Sequence, residues 1–364
     1  MFIRAGGIYS DSRSTKEIMA LAEAGHNIRV IGWDRTGEAA GKCQVAFKSI
    51  ADRVSFEFFS LNTVSGSGIK NFTKFFLWFR FVEKTLSKCI EGMDWVHACD
   101  LDSGWPAYRV CRRTATKLVY DIFDYYIDSH SLPFFMRHVV EKMEISVIND
   151  SVATIICTEE RREQIKKARP HKVVVIHNSP DITGINLGAP ELWDYTYCGA
   201  FVEDRLLEEI LQEYKKNKTL KVLFAGSGKY QRIAESCARE DNFEFLGKIP
   251  YSRVLELEAQ TAVLSAIYNP LKRNHRLCAP NKFYEALALG KPVIVCRGTG
   301  IDKLVNEYNV GIVIDYDVQQ FYRALEILLS DRQNRIEMGT RARKMYIEKY
   351  HWNIMKKRLL NIYD

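Results

Sequence analysis

Short apolar runs that read as buried strands alternate along the chain with segments of helical periodicity. The first unit is the run MFIRAGG, a polar loop IYSDSRS, the helical segment TKEIMALAEAG and the run HNIRVIGW. Ser14 and Glu17 match an S-x-x-E capping box at the start of this helix, and Gly25 is placed to end it. The pattern predicts a β-α-β unit.

The same alternation continues almost to the C-terminus. In the first half it includes DWVHAC, TKLVYDIF, ATIICT, a predicted basic helix EERREQIKKA and KVVVIHNSP. After the turn-rich stretch DITGINLGAP it restarts with DYTYCGAF, RLLEEILQEY, LKVLFAGSG, FEFLGKI, TAVLSAIYN, PVIVC and VGIVI. This order predicts an α/β protein with two parallel-sheet domains and a hinge near residues 180–194. We expect domains at 1–180 and 181–345, with a C-terminal helix at 346–364 that is able to cross back to the first domain.

Composition narrows the class of protein. A chain of 364 residues exceeds the usual size of one hydrophobic core, which agrees with two domains. The net charge of +7 is too mild for a nucleic-acid binder, but it suits an anionic ligand or membrane surface. Nine cysteines without a C-x-x-C pair predict neither a disulfide framework nor a metal site. With no apolar run of about 18 residues and no basic leader, we expect a cytoplasmic protein.

Three segments follow predicted strands and are therefore candidate ligand sites. They are RAGG with Gly6 and Gly7, AGSGK with Gly226, Gly228 and Lys229, and the helix start in CAPNKFYEALALGKPVIVC. Glycines let a phosphate approach backbone amides, and a helix N-terminus favours negative charge. A glycine after a strand is nevertheless more often only a tight turn, and no dinucleotide-binding fingerprint is present.

Taken in order, these segments resemble the family 4-type glycosyltransferases (glycosyltransferase group 1) of the GT-B fold. The resemblance rests on DSRSTKEIMALAEAGHNIRVI, VHACD, KLVYDIFD, YCGAFVEDRLLEEIL, FAGSGK, FEFLGKIP and, most specifically, PNKFYEALALGKPVIV. It implies two Rossmann-like domains facing a central cleft. It also implies transfer of a hexosyl group from a UDP- or GDP-sugar to a glycan or lipid-linked acceptor, with retention of configuration and without metal or other cofactor. Cell-surface polysaccharide synthesis is the expected setting.

The resemblance assigns Glu285 to the donor ribose, since a carboxylate accepts hydrogen bonds from two vicinal hydroxyls. The amides near Pro280 and Asn281 would face the donor diphosphate or sugar, and Lys282 lies on the same side of the helix. A solvated ion pair between Lys282 and Glu285 is the alternative interpretation.

Three departures from the family pattern change the expected site. Leu277 replaces the first of two glutamates, and Ala200 replaces an arginine, so that Arg205 becomes the expected clamp on the leaving diphosphate, helped by Lys282 or Lys229. In the N-terminal domain Phe123 replaces a histidine. Asp121 and Asp124 are then the candidate polar groups there, although a cap or loop hydrogen bond is the commoner role for any one such residue.

The expected site therefore has three groups of residues. The catalytic candidates are Arg205, Lys282, Asp121 and Asp124, and the acceptor-side candidates are Asp100 and His97, although a histidine at a strand end is more often a core residue. The donor-binding candidates are Gly6, Gly7, Gly199, Gly226, Gly228, Lys229, Ile249, Pro280, Asn281 and Glu285.

A further helical segment at residues 69–90 indicates a possible membrane surface. One face carries Phe72, Phe75, Phe76, Phe79, Val82, Leu86 and Ile90, and the other carries Lys70, Lys74, Lys84 and Lys88 with Leu77 and Phe81 among them. Apolar residues among lysines suit contact with anionic lipid, to which LPFFMRH at 132–138 would add. An ordinary surface is the alternative. Two other functions stay open, a nucleotide-sugar epimerase of the same fold and a catalytically inactive scaffold.

Overall fold

The chain forms two compact units. A computed structural model describes residues 1–62, 72–130 and 132–364, with the side chains of residues 72 and 73 left out. One unit consists of Met1–His177 together with Met355–Asp364, and the other of Asn178–Ile354. The sequence predicted boundaries at 180/181 and 345/346, and of the predicted C-terminal helix only residues 355–364 belong to the N-terminal unit.

The N-terminal unit is built on a parallel sheet, seven-stranded over the described residues, in the order β3-β2-β1-β4-β5-β6-β7. The strands are β1 Phe2–Arg4, β2 Ile28–Asp34, β3 Val54–Ser60, β4 Trp95–Cys99, β5 Lys117–Asp121, β6 Ala153–Ile156 and β7 Val173–Val175. The helices are α1 Ser12–Glu23, α2 Ala39–Ala46, α3 Phe72–Cys89, α4 Asp100–Thr114, α5 Tyr126–Ser129 and α6 Phe134–Asp150. Buried residues from both faces of this sheet form its core.

The C-terminal unit has a parallel sheet in the order β10-β9-β8-β11-β12-β13. The strands are β8 Trp193–Cys198, β9 Val222–Ala225, β10 Phe243–Phe245, β11 Thr261–Ala266, β12 Val293–Cys296 and β13 Gly311–Ile314. The helices are α7 Leu207–Lys216, α8 Gln231–Cys237, α9 Tyr251–Ala259, α10 Asn281–Leu289, α11 Ile301–Tyr308, α12 Val318–Ser330, α13 Arg332–Met345 and α14 Trp352–Leu360, whose residues from 355 onward count with the N-terminal unit. The predicted α/β class with two parallel sheets is confirmed.

The start of α1 differs from the prediction. Asp11, not Ser14, is the cap, because its side chain accepts a hydrogen bond from the Ser14 amide at 2.7 Å. Glu17 therefore has no capping partner and is fully buried instead. The end of the helix is as predicted, since Gly25 adopts φ +100° and the next amide returns to Leu21.

Two other helix predictions need correction. Of the predicted basic helix EERREQIKKA, only the 3-10 turn Glu159–Glu163 forms. In α3, Phe81 packs against the core although it was placed on the lysine face, whereas Phe76 is exposed although it was placed on the core face. Trp78, fully buried, is the residue that the predicted stripe missed. The predicted lipid-facing Lys70 and the side chain of Phe72 lie outside the described residues.

Strand order marks where ligands are expected in each sheet. The order reverses between β1 and β4 in one unit and between β8 and β11 in the other. In doubly wound sheets, ligands bind outside the carboxyl ends of the strands at this reversal. A search of the described helices found none that is long and apolar enough to cross a bilayer.

Candidate functional site

Glycines shape the carboxyl edge of the second sheet at β8 and β9. Gly226 has φ +148° and Gly228 has φ +141°. A Cβ on Gly226 would lie 1.8 Å from the carbonyl oxygen of Gly199, and one on Gly228 would lie 2.5 Å from that of Phe201. The Gly226 amide donates to Gly247 O at 2.7 Å, so it is already engaged within the protein. Close approach of two strand ends therefore explains these glycines, and the Gly226 amide does not cradle a phosphate in this arrangement.

Arg205 lies at the reversal between β8 and β11. Its guanidinium carbon is 3.6 Å from the centre of the Tyr268 ring, and Nη1 is 3.3 Å from His275 Nε2. The residues on either side, Asp204 and Leu206, have φ +64° and +54°. Left-handed backbone costs about 1–2 kcal/mol for a residue with a side chain, and such strain concentrates at functional sites.

The loop that carries Arg205 is tied to the loop after β11. Asn269 Nδ2 donates to Asp204 Oδ1 at 3.0 Å, and the Asn269 amide donates to Asp204 O at 3.1 Å. These bonds hold Asp204 in its left-handed conformation and fix the position from which Arg205 extends. Arg205 is thus held as a cation on an aromatic ring at the place where the sheet topology predicts a ligand.

Helix α10 begins at Asn281 and brings Lys282 and Glu285 into contact with α9. Glu285 is 2% exposed, and its Oε1 accepts a hydrogen bond from the Tyr251 hydroxyl at 2.9 Å. Lys282 donates to Cys198 O, and its Nζ lies 3.6 Å from Glu258 Oε1. The solvated Lys282–Glu285 pair considered from the sequence is therefore not what forms, because Glu258 is the ion-pair partner and both carboxylates are buried.

The buried charged groups between α9 and α10, Glu258, Lys282 and Glu285, affect one another's pKa values. Burial, followed by the neighbouring Glu285, raises the pKa of Glu258 well above its ordinary value. Burial works to lower the pKa of Lys282, but Glu258 and Glu285 outweigh it and raise that pKa. Gly199 leaves room for the lysine, since a Cβ there would lie 3.3 Å from Lys282 Cε. Lys282 therefore stays charged and joins α10 to the end of β8.

The remaining donor-side candidates have ordinary surroundings. Lys229 forms an exposed ion pair with Glu203, and Ile249 packs on a small apolar cluster beside β8 and β9. Pro280 is the N-cap of α10, and Asn281 is its first residue. Pro280 and Asn281 thus lie with Glu285 at one helix start, whereas Lys229 points into solvent.

At the reversal in the N-terminal unit, Arg4 lies at the end of β1 and Asp100 at the end of β4. Asp100 has φ +59°, and its Oδ1 accepts hydrogen bonds from the amides of Phe123 and Asp124 at 2.9 and 3.1 Å. Arg4 Nη1 is 3.9 Å from Asp100 Oδ2. Burial raises the pKa of Asp100 to about 7, against the opposing charge of Arg4. Gly6, half-buried, and Gly7, exposed, follow in the adjoining loop.

Phe123 is covered by two arginines. The guanidinium carbons of Arg4 and Arg13 lie 3.8 and 4.5 Å from the centre of its ring. Asp124, next to it, is exposed and accepts a hydrogen bond from the buried Arg161 at 3.1 Å. A phenyl ring at this position thus organises cations at the sheet edge, where the family resemblance expected a histidine.

Asp121 and His97 lie beneath this surface. Asp121 is 0% and His97 is 2% exposed. Asp121 accepts a hydrogen bond from Arg13, and His97 stacks on Phe2 with ring centres 4.5 Å apart. Both residues contact other side chains in this arrangement and do not reach solvent.

The structure gathers the sequence candidates into separate groups. Asp100, Asp121 and Asp124 lie at neighbouring strand ends of the first unit, and Arg205, Lys282 and Glu285 lie at strand and helix ends of the second. Sequence reasoning missed Arg4, Arg13, Tyr251, Glu258 and Tyr268. The sequence signal for Arg4 was a charged residue at the end of an apolar strand, in the segment FIRAGG. No sequence signal pointed to Glu258.

Comparison with known proteins identifies the second unit. Residues 191–345 match the family model described as glycosyl transferases group 1. A GDP-mannose-dependent monoacylated α-(1-6)-phosphatidylinositol monomannoside mannosyltransferase from Corynebacterium glutamicum is 27% identical over 44% of this chain and 43% of its own. The capsular polysaccharide biosynthesis glycosyltransferase CapM from Staphylococcus aureus is 29% identical over 46% of this chain and 45% of its own. The match thus spans less than half the length of these curated relatives.

Solved structures resemble the whole chain in fold. Sucrose-phosphate synthase from Thermosynechococcus elongatus has a TM-score of 0.71 at 14% identity and covers 100% of this chain and 97% of its own. Anabaena HepE in complex with UDP-glucose has a TM-score of 0.70 at 13% identity over 99% of this chain and 97% of its own. A putative UDP-N-acetylglucosamine 2-epimerase from Listeria monocytogenes has a TM-score of 0.66 at 11% identity over 100% and 94%. At such identities the likeness concerns the fold alone, which transferases and an epimerase share.

The family model, by contrast, is one of glycosyl transferases, and its match is confined to residues 191–345. The matched region contains Arg205 and the whole of α10, from which the sequence resemblance was drawn. Residues 191–345, less than half of the chain, are therefore similar to the glycosyl transferases group 1 family, and the two Rossmann-like units have the GT-B fold.

Proposed function

We propose that the protein transfers a hexosyl group from a nucleotide sugar to a glycan or lipid-linked acceptor, with retention of configuration. The observation that carries the proposal is the group 1 domain at residues 191–345. The setting in cell-surface polysaccharide synthesis is supported by a curated relative that is named for capsular polysaccharide biosynthesis. A nucleotide-sugar donor is supported by the GDP-mannose-dependent relative and by the HepE complex with UDP-glucose.

Arg205 is the side chain that we assign to the leaving diphosphate. It lies at the β8/β11 reversal, packed on Tyr268. A guanidinium fixed before the reaction stabilises negative charge as it develops on the leaving group, without reorganisation cost. Lys282 is a weaker candidate for the diphosphate clamp than the sequence indicated, because its ammonium already pairs with Glu258 and donates a hydrogen bond to Cys198 O. No metal is assigned to the transfer step, in which the departing phosphate accepts the proton of the acceptor hydroxyl.

For the acceptor side we propose the edge that carries Arg4 and Asp100. Burial raises the pKa of Asp102 to about 6 and that of Asp100 to about 7. Two carboxyl groups close to an arginine offer both hydrogen-bond acceptors and a cation, which suits hydroxyl groups of a sugar and a phosphate linked to it.

We also propose that the N-terminal unit rests on anionic lipid. On α3, Phe76 and Leu77 are 56% and 48% exposed, and at the start of α6, Phe134 and Phe135 are 92% and 76% exposed. Lys74, Lys84 and Lys88 lie on α3, so apolar and basic groups share this helix. Each lysine near an anionic surface contributes about 1 kcal/mol, which salt screens, while aromatic insertion is insensitive to salt.

Vesicle flotation tests this lipid contact. We expect the wild type to co-float with anionic but not with zwitterionic vesicles at low salt. Phe134→Ser with Phe135→Ser should weaken flotation at every salt concentration, and Lys74→Glu with Lys84→Glu and Lys88→Glu should abolish it at low salt. Failure of the wild type to co-float would contradict the proposal and favour a soluble acceptor.

A donor panel tests the transferase itself. UDP-, GDP- and ADP-sugars are added to the protein, and both melting temperature and fate of the sugar are followed. A ligand at a hundred times its Kd stabilises the folded state by about 2.7 kcal/mol. Sugar transfer to an acceptor supports the proposal; conversion to another nucleotide sugar would identify an epimerase; binding without turnover, or no binding, would indicate an inactive scaffold.

A further inference from the structure

A buried polar cluster lies in the N-terminal unit, below the sheet edge. It consists of Arg13 and Glu17 on α1, His97 and Cys99 on β4, and Asp121 at the end of β5. Their exposures are 4%, 0%, 2%, 0% and 0%. These residues come from three separate elements and meet in the interior, where charged groups are rare unless they are paired.

Arg13 donates a hydrogen bond to only one oxygen of each carboxylate, Glu17 and Asp121. Its Nε donates to Glu17 Oε1 at 3.0 Å, and its Nη2 donates to Asp121 Oδ1. The second oxygens, Glu17 Oε2 and Asp121 Oδ2, have no hydrogen-bond partner in the described part of the chain, and neither has His97 Nε2. All three atoms are shielded from solvent, and such unpaired buried groups need a partner.

His97 Nε2 lies close to both unpartnered carboxylate oxygens. His97 Nε2 is 3.7 Å from Glu17 Oε2 and 3.5 Å from Asp121 Oδ2. Two ligands that each lie about 2.1 Å from a tetrahedral zinc ion are about 3.4 Å apart. The observed separations are too long for good direct hydrogen bonds but match those of ligands around one ion. Cys99 adds a sulfur, since one ligand atom each of His97, Cys99 and Asp121 lie within 4.8 Å of one another.

The other side of His97 is arranged as a metal-binding histidine requires. His97 Nδ1 is hydrogen-bonded to the hydroxyl of Tyr363, which belongs to the C-terminal residues of the same unit. A histidine that binds a metal almost always uses its other ring nitrogen in such a bond, which fixes the tautomer and the ring. With the proton on Nδ1, Nε2 presents its lone pair to the two carboxylate oxygens.

Charge balance favours a divalent ion in this position. Two carboxylates against one guanidinium leave one negative charge uncompensated in the interior, which is costly. A zinc ion with Cys99 as thiolate brings the sum of all five side chains and the ion to zero. His, Cys and carboxylate ligands together are the set that zinc accepts.

We propose that His97, Cys99 and Asp121 bind a structural zinc ion, with Glu17 as the fourth ligand and Arg13 and Tyr363 as outer partners. The ion would link α1 to β4 and β5 below the sheet edge that carries Arg4 and Asp100. It takes no part in sugar transfer, and the proposal does not depend on the proposed function. The competing explanation is a proton shared among Glu17 Oε2, His97 Nε2 and Asp121 Oδ2.

Metal content and cobalt substitution test the proposal. Purified wild type should contain about one zinc per chain by mass spectrometry of the elements. Removal by a strong chelator should lower the melting temperature, and zinc should restore it. Cobalt in place of zinc should give tetrahedral d–d bands and a thiolate-to-cobalt charge-transfer band.

Three variants separate the ligands from other metal-binding groups. Cys99→Ser should lose the charge-transfer band while keeping the d–d bands, and Tyr363→Phe should bind zinc about 10- to 100-fold more weakly. Cys237→Ser, a matched change at a buried cysteine of the other unit, should behave as wild type. Zinc binding that Cys99→Ser and Tyr363→Phe leave unchanged, or a chelator that leaves the wild-type melting temperature unaltered, would overturn the proposal in favour of the shared proton.

Discussion

Glu285 is the single residue on which the proposed donor recognition depends most. Its carboxylate is almost fully covered and already accepts one hydrogen bond from Tyr251. Acceptance from the ribose hydroxyls would use its second oxygen, although the side chain of Glu258 also interacts with this carboxyl group. The residue then positions the nucleotide through a charged acceptor, which is stronger than a neutral one.

We expect Glu285→Gln to weaken nucleotide binding by about 1.5–3 kcal/mol, the range for hydrogen bonds to a charged group. Calorimetry with UDP and GDP measures the loss. Tyr251→Phe is the matched control, because it removes the protein's own hydrogen bond and keeps the carboxylate, so it should cost less. Equal affinity of Glu285→Gln and the wild type would refute the ribose assignment.

Glu144 is a second residue with a measurable consequence. It is fully buried on α6, where Tyr120 Oη donates to Oε1 at 2.9 Å and the Tyr126 amide donates to Oε2 at 3.2 Å. Burial raises its pKa to about 8 from an ordinary value of 4.5. Between pH 4.5 and about pH 8, the folded state therefore holds a proton on Glu144 that the unfolded state has lost.

Stability should accordingly fall as the pH rises from about 4.5 to about 8, by up to about 1.4 kcal/mol per pH unit from this group. Glu144→Gln keeps a neutral side chain at every pH and should remove that part of the slope. Urea unfolding of both proteins between pH 5 and pH 8.5 gives the difference. A difference that does not change with pH would mean that Glu144 is ionised in the folded protein.

Helices α9 and α10 are joined by the buried pair of Lys282 and Glu258. The lysine is 16% and the glutamate 2% exposed at their side chains. Removing one partner of a buried ion pair is costly because it leaves the other charge uncompensated, whereas removing both is often tolerated. The pairing of these two helices, rather than catalysis, is the simplest role for Lys282.

We expect Lys282→Met to destabilise the fold by about 3–5 kcal/mol, and Lys282→Met with Glu258→Gln to recover much of that loss. Denaturant unfolding measures both. The opposite pattern, in which Lys282→Met keeps wild-type stability but loses turnover, would restore the lysine to the catalytic group.

The C-terminal residues complete the N-terminal unit, although residues 178–354 of the other unit separate them from it in the chain. Met355 and Leu359 are fully buried, and Arg358 Nη1 donates to Val175 O at 2.9 Å. Lys356 pairs with Glu23 on α1 at 2.6 Å. This unit is therefore discontinuous in sequence, and its stability depends on both ends of the chain.

Leu359→Ala should destabilise the N-terminal unit by about 2–5 kcal/mol, since it opens a cavity in a packed core. Hydrogen exchange should show the loss in strands β1–β7 and not in β8–β13. The exposed neighbour Lys357 supplies the control, because Lys357→Ala should leave both sheets protected. Faster exchange in β8–β13 alone would show that residue 359 supports the other unit.

The sequence alone determined the α/β class, the two parallel sheets and the resemblance to glycosyltransferase group 1, which the family model matches over residues 191–345. These follow from local information, since each strand is a short apolar run, each helix has its own period, and the α10 segment is contiguous from Pro280 to Val295. Local signals failed where another part of the chain decided the outcome. Glu17 satisfied a capping pattern, yet Asp11 caps the helix and Glu17 is buried against Arg13.

Only the tertiary structure decided how the side chains pair. Lys282 was expected to meet Glu285 or a phosphate, but Glu258 from the preceding helix is its partner. Glu17, His97, Cys99 and Asp121 have no spacing that indicates a site, because three elements bring them together. Pairing of buried charges depends on distances across the fold and on desolvation, and neither is encoded in the order of neighbouring residues.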